Sequence, residues 1–448
     1  MGGEGGARPR DELGAMILGA YRGLSAFAPF ALRALLRRRL ARGKEDEARM
    51  PERMGIAARD RPAGPLLWLH AASVGEALSA LPLVERVLAR LPAAHILVTT
   101  GTVTSARLMA ERLPPRAFHQ FVPLDAAPWV ARFLDHWRPD LALWIESELW
   151  PNLLRQTSAR GTKLALVNAR MTERSFRGWQ RWPGAARELA EVFALVLAQT
   201  EEFAARYKAL GARNVSVQGN LKYAAPPLPV DASKLAELRA AIGTRHVWLA
   251  ASIHPGEEAA IAEAQRLLKA GSGTLGIVVP RHPPKGAGMA EAIRAQGLTV
   301  ALRSAGALPS GDTAIYVADT LGELGLLYSV AQLAFVGGSL IPHGGQNAIE
   351  PALFGVPVLH GPHMENFADV VRALARANAA LEVRDGASIA SCLDNLLPRP
   401  HEIRTMGEAA KRVAEAERSV IDRVMAALEP LLSPLAQAGR VGGRDAAA

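Results

Sequence analysis

The fold class is indicated most clearly by residues 337–367, GGSLIPHGGQNAIEPALFGVPVLHGPHMENF. It follows an apolar run, AQLAFV (331–336), which predicts a buried parallel strand. A glycine-rich turn then leads into a short predicted helix, 347–354, and a second strand, 356–360. A strand, a glycine loop and a helix N-terminus together aim backbone N–H groups at an anion, usually a phosphate. An ordinary tight turn is the alternative, but the polar side chains concentrated in this stretch favour an anion site.

Composition bounds the class of protein. A chain of 448 residues predicts two domains and an appendage, and a hydrophobic content of 49% supports full cores. The single cysteine, Cys392, excludes a disulfide framework and a cysteine metal cluster, which fits a reducing compartment. The net charge of +9 predicts an anionic surface or substrate. Without zinc-finger spacing or an aromatic RNA-binding strand, we expect no nucleic-acid partner.

The N-terminal region predicts membrane association. Residues 13–36 are mostly apolar but carry two arginines and a proline, and residues 37–44 form a basic cluster. A spanning helix needs roughly 20 apolar residues, so this segment is borderline. It could be an anchor with its basic end in the cytoplasm, or an interfacial helix with its arginines on anionic headgroups. A plain soluble helix is the third possibility. In either membrane case, we expect the rest of the chain to be cytoplasmic.

Buried apolar strands alternate with helices in both halves of the chain, which predicts two parallel, doubly wound sheets. The predicted strands are 66–70, 95–99, 141–145, 163–167 and 193–198 in the first half, and 246–252, 275–280, 314–318, 331–336 and 356–360 in the second. The predicted domains are a membrane-associated segment (1–44), a first domain (45–223), a linker (224–235), a second domain (236–430) and a flexible tail (431–448). Since Asp-x-Asp is not found, we expect no metal in the chemistry.

Polar clusters follow strands of the first half, where ligands of such sheets bind. Ser73, Gly75 and Glu76 follow the first strand. Ser73 and Glu76 have the spacing of a capping box, yet Glu76 could equally be a general base. Glu146 and Glu148 share a face of an extended segment, so their repulsion could raise one pKa; a helix-entry role is the alternative.

A further cluster, Asn168 and Arg170, follows the fourth strand, where the arginine suits a carboxylate or a phosphate. A surface ion pair is the alternative. The polar turns of the second half would converge on one rim and hold a nucleotide, although each alone could be an ordinary loop. Those turns contribute Ser252, His254 and Glu257, then Arg281 and His282, and in the glycine-rich stretch Gly337, Gly338, Ser339, Gly345, Gln346, Asn347 and Glu350. Two such rims predict a cleft between the domains.

Several motifs of the chain resemble those of a known family. ASVGE, ESELWPNL, NARM, GNLKY, the segment GKE…R…ERMG (43–55) and above all GGSL…GGxNxxEP…PVxxGPHxxNF are similar to the Kdo (3-deoxy-D-manno-octulosonic acid) transferases of lipopolysaccharide synthesis. The resemblance covers residues 18–424. It implies a GT-B fold, in which two Rossmann-like domains face a cleft, plus the N-terminal membrane-associated helix. It also implies an inverting enzyme without metal or cofactor, which moves Kdo from CMP-Kdo to the lipid A precursor (lipid IVA) at the cytoplasmic face of the bacterial inner membrane.

The resemblance also implies roles. Glu76 matches the general base, and Glu148 or Glu146 the second acidic site. Arg281 and the turn Gly337-Gly338-Ser339 match positions that bind CMP, and Asn347 and Glu350 those that hold the nucleotide and its ribose; Ser73, Gly75, Asn168 and Arg170 fall on the acceptor side or at the Kdo carboxylate. Two departures from the family pattern are Gln346, where histidine is usual, and Pro284-Lys285, where the family reads Glu-Arg. The alternatives are a GT-B nucleotide-sugar epimerase, another nucleotide-sugar glycosyltransferase, or a non-catalytic nucleotide-binding protein at a membrane.

Overall fold

A computed structural model describes residues 8–224, 228–269 and 273–445 of the chain. Its contacts divide the chain into two compact units. The first consists of Met1–Ala225 with Arg418–Ala448, and the second of Pro226–Glu417. Residues 225–227 of the predicted linker lie outside the described residues.

The first unit is a parallel sheet of seven strands with helices on both faces. The strands are β1 (Leu66–His70), β2 (His95–Thr100), β3 (Ala117–Phe121), β4 (Leu141–Ile145), β5 (Lys163–Ala169), β6 (Phe193–Ala198) and β7 (Val215–Val217). The helices are α1 (Arg8–Phe27), α2 (Pro29–Leu40), α3 (Val74–Arg90), α4 (Val103–Arg112), α5 (Ala127–Trp137), α6 (Pro151–Ala159), α7 (Glu173–Gln180), α8 (Pro183–Glu191) and α9 (Glu201–Ala209), with short 3-10 helices at Met50–Met54 and Leu221–Ala224.

The strand order of this sheet is β3-β2-β1-β4-β5-β6-β7. The strands that follow β1 in the chain are therefore added toward one edge of the sheet, and those that follow β4 are added toward the other edge. Alternate side chains of one strand enter the two different cores of the unit, as Trp68 and Leu69 do in β1. A strand buried on both faces reads as a continuous apolar run, which is why the sequence predicted these strands.

The second unit repeats the architecture with strand order β10-β11-β9-β8-β12-β13-β14. Its strands are β8 (Val247–Ile253), β9 (Leu275–Pro280), β10 (Val300–Leu302), β11 (Ile315–Val317), β12 (Leu333–Val336), β13 (Val358–His360) and β14 (Ala380–Glu382). Its helices are α10 (Ala232–Ile242), α11 (Glu258–Leu267), α12 (Gly286–Arg294), α13 (Leu324–Tyr328), α14 (Ile349–Leu353), α15 (Ala368–Arg376), α16 (Gly386–Leu396) and α17 (Pro400–Arg418), with 3-10 helices at Pro283–Lys285, Arg303–Ala305 and Glu365–Phe367.

Two doubly wound parallel sheets confirm the predicted fold class. All ten predicted strands are present, and β3, β7, β10 and β14 are additional. The additional strands lie at or near sheet edges, where three are only three residues long, so their sequences lack the long apolar runs of the central strands.

The last helix differs from its sequence-based assignment. Residues 431–448 are predicted to be a flexible tail, but α18 (Val420–Asp445) extends as far as Asp445, and residues 446–448 lie outside the described residues. Val420, Val424, Leu428 and Leu432 are spaced four residues apart and are buried in the core of the first unit against α3. This stripe makes α18 part of the first unit rather than the second.

Helices α1 and α2 carry both buried and exposed apolar side chains. Leu18 and Leu36 are buried, whereas Phe27 and Phe30 are each 86% exposed. Among the described residues, we find no helix that combines the length and the apolar character needed to cross a membrane.

Candidate active site

Each sheet has a switch point, where neighbouring strands lead away in opposite directions and ligands of such folds bind. In the first unit it lies between β1 and β4, which pair directly. The turn after β1 carries Glu76, and the turn after β4 carries Glu146 and Glu148. Glu146 adopts a φ of 65°, a left-handed conformation that costs energy for a non-glycine residue and is concentrated at functional sites.

Glu76 bonds locally in the way that its capping-box spacing predicted. Ser73 caps α3 by accepting from the Glu76 N–H at 3.3 Å. The Glu76 carboxylate accepts from the Ser73 hydroxyl at 2.9 Å and from the Ala72 N–H at 2.7 Å. A carboxylate has about four lone-pair sites, and these contacts use two of them. The capping geometry therefore leaves room for a further hydrogen bond to a substrate hydroxyl.

Glu146 and Glu148 lie within the electrostatic reach of Glu76. Burial raises the pKa of Glu148, and the charge of Glu76 raises it further. Burial also raises the pKa of Glu146, with Glu76 adding to the rise and Lys222 and Arg170 opposing it. Lys222 Nζ lies 3.7 Å from Glu146 Oε1. The predicted repulsion between neighbouring carboxylates is present, but its main source is Glu76 rather than the Glu146–Glu148 pair.

Asn168 has a supporting position rather than a ligand-facing one. It is 1% exposed and, like Glu146, takes a left-handed conformation, with φ of 58°. Its Oδ1 accepts from the Leu221 N–H at 2.9 Å, and its Nδ2 lies 3.5 Å from Glu146 Oε1. These bonds fix the turn that presents Lys222, so the expected direct contact of Asn168 with a substrate is not supported. Arg170 is exposed and stays available to an anion.

The switch point of the second unit lies between β8 and β12, which pair directly. Ser252 lies near the end of β8, His254 and Glu257 lie in the turn that follows, and the turn after β12 is the glycine-rich stretch. A side chain at Gly337 would overlap the Ser252 carbonyl, so only glycine permits the two turns to come so close. Ser252 adopts a left-handed φ of 58° at this crossing.

Two residues expected at the nucleotide are instead turned inward. Glu257 is fully buried, and its carboxylate accepts from backbone N–H groups, including those of Gly338 and Ser339. The Ser339 hydroxyl donates to the Val336 carbonyl and accepts from the Gly361 N–H. The structure thus corrects two expectations. Neither side chain faces a ligand, and the N–H groups of the Gly338-Ser339 turn, expected to cradle a phosphate, are already occupied.

Two histidines and an amide side chain form a further part of this site, in which His254 is buried and His343 is exposed. His254 and His343 pack with ring centroids 4.0 Å apart. Gln346 Nε2 lies 3.0 Å from His254 Nε2, and since the amide nitrogen can only donate, the ring nitrogen accepts. Burial lowers the pKa of His254, and the nearby His343 and Arg281 contribute to the lowering. His254 is therefore a neutral ring at neutral pH, held in one tautomer by Gln346.

Asn347 and Glu350 act as a pair. Asn347 Nδ2 lies 3.2 Å from Glu350 Oε1, and Asn347 Oδ1 accepts from the Ile349 N–H. Burial raises the pKa of Glu350, while Asn347 and Arg281 partly offset the rise. A half-buried carboxylate close to an exposed arginine is well suited to accept hydrogen bonds from a polyhydroxylated ligand. The predicted helix here is only the five-residue α14, so its N-terminus adds little.

The raised pKa of Glu350 leads to a prediction about how the stability of the second unit depends on pH. The folded-state pKa lies above the usual 4.5, so the charged form penalises folding above the folded pKa, and this penalty fades as pH falls toward 4.5. Glu350→Gln keeps the acceptor for Asn347 and removes the charge. We expect it to stabilise the second unit by on the order of 1 kcal/mol at pH 8, with the gain shrinking on acidification. Thermal melts of both proteins from pH 8 to pH 4.5 measure this; a gain that is constant with pH would contradict it.

The remaining predicted residues comprise exposed side chains after β9 and one buried glycine. Arg281, His282 and Lys285 are exposed after β9, and Gly345 takes a φ of 74°. Sequence reasoning gave no role to Lys222 or His343, although both lie in motifs that it quoted. The signal for Lys222 was its position in GNLKY, but its proximity to Glu146 depends on Asn168, which is distant in sequence. Among the described residues, no group of three or more His, Cys, Asp or Glu side chains could hold a metal ion.

The fold and these two rims define a GT-B-like α/β protein. It is similar to UDP-GlcNAc 2-epimerase from Neisseria meningitidis, with 13% identity and a TM-score of 0.53 over 81% of this chain and 99% of that one; this likeness concerns the fold alone. Residues 48–225 match the family model of 3-deoxy-D-manno-octulosonic-acid transferase (kdotransferase).

Relatives with higher sequence identity show the family to which the chain belongs. The chain is 34% identical over 390 residues to the 3-deoxy-D-manno-octulosonic acid transferase of Rickettsia bellii, covering 86% of this chain and 93% of that protein. It is 36% identical over 429 residues to the transferase of the same name from Bordetella pertussis, covering 92% and 98%. The chain belongs to the 3-deoxy-D-manno-octulosonic acid (Kdo) transferase family, and this confirms the resemblance seen in its motifs.

Proposed function

We propose that this protein is an inverting glycosyltransferase that moves Kdo from CMP-Kdo to the lipid A precursor. The observation that carries the proposal is its identity of 34–36%, over nearly the full length, to proteins named 3-deoxy-D-manno-octulosonic acid transferase. The carboxylates and cations of the first unit supply groups suited to the reaction. The nucleotide-sugar epimerase alternative has only a likeness of fold behind it, because the epimerase is 13% identical.

In the proposed reaction, Glu76 takes the proton from an acceptor hydroxyl as that oxygen attacks the anomeric carbon of Kdo. The new C–O bond forms as the bond from that carbon to the CMP phosphate oxygen breaks. CMP leaves with the bonding electrons, and the configuration inverts in this single displacement. Glu148, whose pKa is raised, is suited to hydrogen-bond the acceptor sugar, and Arg170 and Lys222 offer positive charge to the Kdo carboxylate.

The second unit is proposed to hold the nucleotide. The Glu350 carboxylate and Asn347 amide suit the ribose hydroxyls. The exposed Arg281, with the side chains of His343 and Gln346, suits the phosphate. Charged or polar side chains near the phosphate would stabilise the negative charge that grows on it as CMP departs.

We also propose that residues 13–44 bring the protein to the cytoplasmic face of the anionic inner membrane. Support comes from the exposed Phe27 and Phe30 and from the three arginines that end α2, Arg37, Arg38 and Arg39. Apolar side chains beside basic ones bind anionic bilayer surfaces, because the apolar groups enter the bilayer and the basic groups are attracted to the anionic headgroups. Such binding would concentrate a lipid acceptor near the protein.

A direct transfer assay tests the function. We expect purified protein incubated with CMP-Kdo and lipid IVA to release CMP and to yield a lipid heavier by one or more Kdo units in mass spectra, with the mass giving the number added. Lipid IVA in anionic vesicles should be used faster than in neutral vesicles. CMP release without a heavier lipid would indicate hydrolysis, and the absence of both would exclude the transferase.

A further inference from the structure

The Glu257 carboxylate occupies an anion-binding site built from the glycine-rich turn. Its Oε2 accepts from the N–H groups of Gly338 at 2.7 Å and His254 at 3.0 Å. Its Oε1 accepts from those of Ser339 and Leu340, each at 3.1 Å. All four donors are backbone amides, and three come from consecutive residues of one turn. Consecutive N–H groups that converge in this way form the concave nests that bind phosphates elsewhere.

The occupant is a permanent part of the protein. Glu257 has no exposed surface, and it directly precedes α11, whose helical hydrogen bonding holds the main chain. Since both oxygens accept from N–H donors, there is no acceptor for an acidic proton, and the side chain is a carboxylate. A charge-assisted bond is about twice as strong as a neutral one, so the three from Gly338, Ser339 and Leu340 hold the turn after β12 firmly to the turn after β8.

This cross-link determines where ligand-facing groups lie. Glu257 fixes the backbone of His254, whose ring packs on His343 and receives the bond from Gln346. It also fixes Gly338, whose carbonyl accepts from the Gly345 N–H at 2.8 Å, just before Gln346. A displaced Gly338 turn would therefore move the far end of the loop as well.

We propose that Glu257 is an internal anion that fills this nest and positions the loop 337–347, so that CMP is bound by side chains of that loop and not by its N-terminal amides. Glu257 is thus a positioning residue. The proposal rests on the proposed function only for the choice of CMP as the ligand.

Chemical rescue by a small carboxylate tests the assignment. In Glu257→Ala, we expect CMP affinity to fall by about tenfold or more, because the loop loses its three charge-assisted bonds, and the melting temperature to fall. Formate enters the vacated nest and should restore both quantities in the variant while leaving the wild type unchanged. Glu257→Gln should lose affinity without rescue, because its amide fills the space and sets N–H donors against N–H donors. Glu258→Ala is the matched control, since its carboxylate accepts one exposed N–H, from Gly256.

A different set of results would show that the nest binds the phosphate of CMP instead. If the nest were the phosphate site of CMP, emptying it would strengthen CMP binding relative to cytidine, and formate would compete with CMP. Either outcome, or a Glu257→Gln variant with wild-type affinity and melting temperature, overturns the proposal. If Glu257→Ala is insoluble even with formate, Glu257→Gln alone decides. If wild-type protein does not bind CMP, the proposed function fails, but rescue of the melting temperature by formate still tests the nest.

Discussion

Glu76→Gln should abolish Kdo transfer while leaving the fold of the first unit unchanged. The amide keeps an oxygen to accept from the Ala72 N–H and gains a nitrogen that can donate to the Ser73 hydroxyl, so both local contacts of Glu76 survive. What it loses is the ability to take a proton. General-base catalysis contributes about 10²–10⁴-fold in rate, and we expect transfer to fall by that factor.

Two measurements separate the base from the helix cap. The rate of CMP release with lipid IVA reports catalysis, and the melting temperature reports the cap, whose loss would cost about 1 kcal/mol. Glu111→Gln makes the same chemical change at an exposed glutamate of α4 and should alter neither quantity. CMP binding should also be unchanged in Glu76→Gln. Transfer near the wild-type rate would leave Glu76 with a capping role alone and would move the search for the base to Glu148.

The titration of the two neighbouring carboxyls, followed by NMR, offers an internal check on the same cluster. The charge of Glu76 contributes to the raised pKa values of Glu146 and Glu148. Neutralising Glu76 removes that contribution, so the two carboxyls should titrate at lower pH in Glu76→Gln than in the wild type.

The fold could be predicted because its central strands are buried on both faces, which leaves an apolar run in the sequence for each of them. The position of the sites followed from a general property of parallel sheets, since loops at the carboxyl ends of strands meet at one edge. The hydrogen bonding of Glu76 could be predicted from its spacing to Ser73, because a capping contact is local. Each of these inferences needs only nearby residues or a rule that holds for the whole class of fold.

Glu257 could not be predicted in the same way. As a glutamate shortly after a strand, it looks like a ligand-facing residue. Its inward orientation depends on Gly338, Ser339 and Leu340, about 80 residues further along the chain. Asn168 was misjudged for the same reason, because its partner Leu221 is 53 residues away. The sequence shows the same residue type whether a polar side chain faces a ligand or faces the protein interior. Only hydrogen-bond donors that are distant in the sequence distinguish the two cases.

Arg53→Met should strongly destabilise the first unit. The segment 43–55, recognised only as a motif, forms a buried ion-pair cluster. Arg53 Nε lies 3.0 Å from Glu45 Oε2, and the two side chains are 3% and 1% exposed. The guanidinium also donates to the carbonyls of Gly101 and Val122, which follow β2 and β3. Burial lowers the pKa of Arg53 and Glu45 opposes this, so each charge depends on the other.

Removing one member leaves the other charge buried and the two carbonyls without their donor, which typically costs about 3–5 kcal/mol. We expect the melting temperature of the first unit to fall by about 10 °C. Tryptophan fluorescence is the suitable probe, since seven of the eight tryptophans, all except Trp248, belong to this unit. Arg39→Met is the control. Arg39 bonds the same Glu45 but is 38% exposed, so its loss should cost at most about 1 kcal/mol.

The double variant Glu45→Leu, Arg53→Met shows whether the cost comes from the lost pair or from the charge left behind. Replacing both partners of a buried ion pair by apolar residues is often nearly neutral, because the desolvation penalty of each charge disappears with the pair. We therefore expect the double variant to recover most of the stability lost in Arg53→Met. If it recovers none, the bonds to Gly101 and Val122 are the main contribution. Gly101 packs against the Ala72 carbonyl, beside the N–H that Glu76 accepts from, so transfer would then fall in both variants, even at temperatures where they remain folded.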